Sequence, residues 1–133
     1  MDLRREFELP EDDQRFLAEY GLPWEAIIDG SPWVLIHEFP THEGYTVDQA
    51  TAAIRIETGY PKTALDMVYF YPHIKRIDGR VIGATNAVQQ LDGKTFQRWS
   101  RHRTGQNPWQ EGVDNLGNHI VLIEDWLDRE FDK

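Results

Sequence analysis

The densest run of chemically useful side chains is Trp99-Ser100-Arg101-His102-Arg103. An imidazole whose ordinary pKa is about 6.5 can give or take a proton near neutral pH, so His102 is the candidate acid–base group. Arg98, Arg101 and Arg103 form the compact basic cluster of an otherwise acidic chain. A guanidinium fork suits carboxylates, including the carboxylate or tail of a protein partner. The same run also has a purely structural reading: Trp99 in the core, His102 bonded to backbone, the arginines paired with nearby acids. Downstream, Pro108, Trp109 and Asp114 are placed to close an irregular loop over the site, although Trp109 would also serve as core.

Several chemistries lack their residues. The chain has no cysteine, which removes disulfides, cysteine-based zinc sites and thiol nucleophiles together. His37, His42 and His119 do not form a His-x-x-x-His pair on one helical face, so no metal site is expected. Gly79 and Gly83 are isolated and open no strand-to-helix phosphate loop; no cofactor is expected, and any nucleotide chemistry must come from a partner. Ser100 and His102 are two apart and lack a Gly-x-Ser-x-Gly elbow, which leaves a hydrolase without support. Asp12-Asp13 and Asp125 with Asp128 read as solvated helix faces.

The elements that must hold these residues follow from periodicity. Glu11 to Tyr20 predicts a short amphipathic helix, with Pro10 before it and Gly21 after it. Leu22 to Gly30 is apolar but punctuated, with room for one more helical turn before Asp29-Gly30. Trp33 to Phe39, Gln49 to Glu57 and Leu65 to Tyr71 read as three strands. Their connections are too short for parallel crossovers, so an antiparallel meander is expected. From Ile74 to Asp114 periodicity is lost, with turn marks at Asp78-Gly79, Asp92-Gly93, Gly105 and Pro108, and a helix or short hairpin around Lys94 to Ser100. Leu116, Ile120, Ile123 and Leu127, joined by Val113 and Trp126, then predict a helix from about Asp114 to Phe131. The whole is an α+β layout, an antiparallel β-meander flanked by an N-terminal and a C-terminal helix, in a single domain over residues 1–133.

The balance of 14 Lys+Arg against 23 Asp+Glu leaves a net charge of −9. Such a surface repels nucleic acid and anionic lipid and best attracts a basic protein surface. At 40% hydrophobic and 12% aromatic residues the chain is too apolar to be a disordered acidic polymer. No stretch approaches the ~20 apolar residues of a membrane span, and the N-terminus carries no signal-like apolar run, so a cytoplasmic location is expected.

The third strand adds a more specific signal. Gly59-Tyr60-Pro61, Val68-Tyr69-Phe70 and Tyr71-Pro72-His73-Ile74 are similar to the Tyr-Pro and His-Pro-Asn-Ile punctuation of ubiquitin-conjugating enzymes. Tyr71 stands where that His would be, and His73 where its Asn would be. With Leu22-Pro23-Trp24-Glu25, Phe96 to Arg103, Asn107-Pro108-Trp109 and Gly112-Val113-Asp114, the chain from Leu9 to Phe131 resembles a bacterial branch of the UBC-like superfamily, the prokaryotic family E type. The resemblance implies a UBC-like fold and a part in bacterial ubiquitin-like conjugation. Its implied partners are a ubiquitin-like protein and an adenylating activating enzyme.

In that family the nucleophilic cysteine falls in the segment corresponding to Ile82-Gly83-Ala84-Thr85. Three readings stand: a natural lack of the cysteine, its replacement at Ala84, or an oxyester on Thr85. A hydroxyl needs a nearby base, and His102 is the candidate for that role. The resemblance then gives Trp99, Ser100, Arg101, Arg103, Trp109 and Asp114, with Tyr71 and His73, the task of shaping the site or contacting the ubiquitin-like protein. The reading from a different class is a non-catalytic acidic interaction module with no link to ubiquitin-like transfer.

Overall fold

The three expected strands are the middle of a larger sheet. A computed structural model describes residues 2–132. It contains helix α1 (Glu11–Tyr20), strands β1 (Trp24–Asp29), β2 (Ser31–Pro40), β3 (Gln49–Arg55), β4 (Val68–Tyr71), β5 (Val88–Leu91) and β6 (Lys94–Trp99), and helix α2 (Leu116–Arg129). A 3-10 turn (Glu130–Asp132) follows α2 directly. The strands form one antiparallel sheet in the order β1-β2-β3-β4-β6-β5. The α+β, UBC-like arrangement with a helix at each end of the chain is thus the one observed.

Two local expectations are corrected, and one open alternative is decided. Leu22 to Gly30 holds β1 and no extra helical turn, because Gly30, at φ 74°, reverses the chain and lets Asp29 pair with Ser31. The third strand starts at Val68 and not Leu65. Met67 sits in the left-handed region (φ 56°), its N–H donates to the Arg101 carbonyl (3.2 Å), and its own carbonyl is bonded to His119 Nε2 (2.9 Å). Of the helix and the short hairpin expected around Lys94 to Ser100, the hairpin is the one formed: Lys94 to Trp99 pairs with β5, since Asp92 (φ 53°) and Gly93 (φ 74°) both take the positive φ of a tight two-residue turn.

The helices follow their sequence signals closely. Gly21 ends α1 in the left-handed conformation, its N–H donating to the Leu17 carbonyl. Asn115 caps α2 by accepting from the Asn118 N–H (3.1 Å). Val113, expected on the α2 stripe, lies before the helix and is 61% exposed. The helices approach closely at Gly117, where a Cβ would stand 2.7 Å from the Phe16 ring.

Each sheet face carries its own core. On the helix side Val34, Ile36, Ala52, Ile54, Phe70 and Trp99 pack with Leu17, Leu116, Ile120, Ile123 and Leu127. On the other side Ile27, Trp33, Leu35, Ala53, Tyr69, Leu91 and Phe96 make a second cluster. The alternation along β2 and β3 produces both faces, because successive strand side chains point to opposite sides.

Candidate functional site

The polar run after Trp99 is the continuation of β6, and its backbone anchors the segment Ile82 to Thr85. Arg98 N–H donates to the Ala87 carbonyl (2.9 Å), and Ser100 N–H donates to the Ala84 carbonyl (3.0 Å). Arg101 Nη1 adds a bond to the Gly83 carbonyl (2.9 Å). Ala84 is exposed with φ 55°, so this segment is a tight, pinned turn that presents residue 84 to solvent. Thr85 is half-buried, and its hydroxyl donates to the Ile82 carbonyl of its own turn (2.9 Å).

Arg101 is itself held from below. Glu130, 3% exposed, lies 3.4 Å from Arg101 and 3.6 Å from Arg76, and the Arg101 guanidinium stacks over Trp99 at 4.9 Å. A buried carboxylate beside two guanidinium groups is compensated for its lost hydration. The C-terminal turn therefore reaches the Ile82 to Thr85 segment through one side chain.

Gln97 is the positioning residue that sequence reasoning missed. It is 5% exposed, its amide donates to the Ile74 carbonyl (3.1 Å), and its Oε1 accepts from Ile74 N–H (2.9 Å) and Trp99 Nε1 (3.0 Å). An amide side chain here imitates a strand neighbour and ties down the end of Tyr71-Pro72-His73-Ile74. The signal available was a glutamine on the inward side of a strand, one residue from Phe96 and two from Trp99.

Two clefts flank this frame. One, about 460 Å³, is lined by His73, Lys75, Ile82, Thr85, Asn86 and Gln97, among others. The other, about 630 Å³, is lined by Leu65, Asp66, His102, Arg103, Pro108 and Trp109, among others. His102 is exposed, and its Nδ1 lies 2.9 and 3.0 Å from the Asp66 carboxylate oxygens. Asp66 was not singled out from sequence, being far along the chain from its partner. The dyad orients the ring and leaves Nε2 for proton exchange with anything in the cleft.

The loop beyond is braced by Arg103, which pairs with Asp114 (3.4 Å) and lies over the Trp109 ring at 5.1 Å. Trp109 Nε1 donates to the Pro61 carbonyl (3.0 Å), and Asp114 accepts from Gln110 N–H (2.7 Å) and Asn118 Nδ2 (3.1 Å). Long side chains tied at both ends convert an irregular segment into a wall.

The expected site residues therefore divide into groups. His102, Arg103 and Trp109 share the larger cleft, with Asp114 behind it. Thr85 and His73 share the smaller one. Ala84, Ser100 and Arg101 lie along the shared anchor, where the Ser100 hydroxyl accepts from Arg98 Nε (3.1 Å). Trp99 is fully buried, and Tyr71, 38% exposed, pairs across the sheet with Thr51. His119 is buried on α2 against Trp126, and burial lowers its pKa, so it is a neutral structural group. Among the described residues no group of three or more His, Cys, Asp or Glu could hold a metal, and no helix is long and apolar enough to cross a membrane.

No curated protein and no solved structure matches the chain. A family model described as Prokaryotic E2 family E matches residues 9–130. That span takes in both helices, all six strands and both clefts, and the chain accordingly belongs to prokaryotic E2 family E.

Proposed function

We propose that this chain is the E2-like component of a bacterial ubiquitin-like conjugation pathway, and that it seats an activated ubiquitin-like protein without carrying it on residues 82–85. The observation behind this reading is the state of Thr85. Its hydroxyl is spent on its own turn, and His102, the base the sequence offers for it, lines the other cleft with Asp66. A threonine hydroxyl without a base is a poor nucleophile at neutral pH. The pinned turn still presents residue 84 to solvent beside the Arg101 anchor. The partners are a ubiquitin-like protein and an adenylating activating enzyme, and the cleft of His102, Arg103 and Trp109 is the surface that receives the former. A cytoplasmic location belongs to the same proposal, since the activating partner consumes ATP.

The test is reconstitution with the activating enzyme, the ubiquitin-like protein and ATP, comparing the natural chain with Ala84→Cys. The natural chain should bind without an adduct at Ile82 to Thr85, whereas Ala84→Cys should acquire a thiol-labile adduct at residue 84. A hydroxide-labile adduct mapped to Thr85 in the natural chain would overturn the seating role. Failure of both proteins to bind would overturn the pathway assignment.

A further inference from the structure

The sheet face turned away from the helices carries a row of polar side chains outside both clefts. Between the pairs Ile36↔Ala52 and Phe39↔Ala50, β2 has two residues, His37 and Glu38, where β3 has one, Thr51. An inserted residue of this kind bends its strand and re-aims a side chain. Glu38 adopts φ 58° to make the insertion, a backbone state that is unfavourable for a non-glycine residue and persists where the surroundings demand it. As a result His37 Nδ1 lies 3.1 Å from Thr51 Oγ1, and His37 Nε2 lies 2.8 Å from Glu25 Oε1.

Glu25 is 4% exposed and accepts from Arg4 Nε (2.7 Å) and the Arg4 backbone N–H (3.1 Å). Arg4 is fixed in turn by Asp92 at 2.7 Å. The Arg4 guanidinium holds the Glu25 carboxyl down to about 2, so it is ionised at neutral pH. An ionised carboxylate only accepts hydrogen bonds. The neutral imidazole of His37 therefore carries its proton on Nε2, which leaves Nδ1 to accept from the Thr51 hydroxyl. Hydroxyl, imidazole and carboxylate are in the order that activates a nucleophile, with the two ring nitrogens exchanged relative to the serine hydrolase triad.

The strand order places Tyr71, the direct partner of Thr51, on the side away from His37. Its ring is 38% exposed and has Lys94 Nζ 5.9 Å from its centroid. The Tyr71 phenol thus stands across from Thr51 on the neighbouring strand, with the Lys94 ammonium beyond it. By contrast, the Thr85 hydroxyl donates to a carbonyl and the Ser100 hydroxyl accepts from an arginine.

We propose that Thr51 is an acyl-accepting nucleophile for activated esters, with His37 as its general base and Glu25 as the group that orients and stabilises the imidazolium. Thr51 Oγ1 bonds to the acyl carbon and its proton passes to His37 Nδ1. The C–O bond to the leaving alcohol breaks with its electron pair, and His37 returns the proton to that oxygen. Water then attacks the threonyl ester, giving its proton through His37 to Thr51 Oγ1 and releasing the carboxylic acid. None of these residues lines the two clefts. The site stands whether or not the conjugation reading does.

The experiment treats the full chain with p-nitrophenyl acetate, following p-nitrophenolate release and locating acetyl groups by peptide mass spectrometry. Acetylation at Thr51 is expected, slowed roughly a hundredfold in His37→Gln, lost in the near-isosteric Thr51→Val and retained in Thr51→Ser. Nitrogen-15 NMR of the unmodified protein should find the neutral His37 ring protonated on Nε2. Acetyl groups confined to lysines and the N-terminus, equal Thr51 labelling in His37→Gln, or a neutral ring protonated on Nδ1 would each overturn the proposal.

Discussion

Replacing Gln97 by leucine tests how far the site depends on one buried amide. The substitution keeps the volume and strand position but leaves Ile74 N–H, the Ile74 carbonyl and Trp99 Nε1 without their partner. Ile74 and Trp99 are both fully buried, so water cannot readily take its place. An unsatisfied buried polar group costs about 1–3 kcal/mol, and three groups sharing one partner are not additive. The added burial of a leucine recovers part of the loss, roughly 1–2 kcal/mol. A net destabilisation of about 2–4 kcal/mol is expected, read as a lowered urea midpoint at unchanged slope. Hydrogen exchange should localise the effect, with the Ile74 amide losing protection relative to amides of β2 and β3. A loss below about 0.5 kcal/mol, or Ile74 protection equal to that of the natural chain, would refute the reasoning that this amide holds the Tyr71 to Ile74 element in place.

Gly117→Ala should destabilise the protein by about 1–3 kcal/mol, since the added methyl meets the Phe16 ring at 2.7 Å, and Phe16→Leu in the same chain should recover part of that loss in thermal melts. The Glu25 carboxyl is depressed from 4.5 to about 2, first by its hydrogen bond to Arg4, then with help from His37 against a desolvation cost. A depressed carboxylate stabilises the fold above its unfolded pKa and loses that contribution as pH falls through the folded value. Because Arg4 is 40% exposed, the contribution is discounted to about 1–2 kcal/mol, lost between about pH 4.5 and 2. Arg4→Gln should therefore raise the midpoint of acid unfolding, and an unchanged midpoint would count against the pairing.

Local signals were sufficient where a residue's conformation depends on its near neighbours. The α1 boundaries follow from Pro10 and Gly21, and the α2 stripe follows from four apolar residues at helical spacing. The polar run 99–103, the missing thiol and the punctuation at Tyr60-Pro61 and Tyr71-Pro72 were likewise legible, because they are matters of residue type and order. β1 was not, since a short apolar segment has no period that separates strand from helical turn until a partner strand is present. For the β5–β6 hairpin the sequence left helix and hairpin both open for a related reason: Gln89, Gln90, Lys94 and Thr95 are polar, and their strand state comes from pairing.

The composition and order of residues alone determined that this chain has no thiol to carry a partner, that it is acidic, and that its candidate base is His102. Only the tertiary structure decided which groups meet. It set His102 with Asp66 and apart from Thr85, placed Gln97 under Ile74, and brought Glu25, His37 and Thr51 into one row across three strands. Those contacts join residues 12 to 36 positions apart through strand register and a single bulge. Register is a property of paired strands, and the residues of one segment fix it only together with the partner strand and the turn between them.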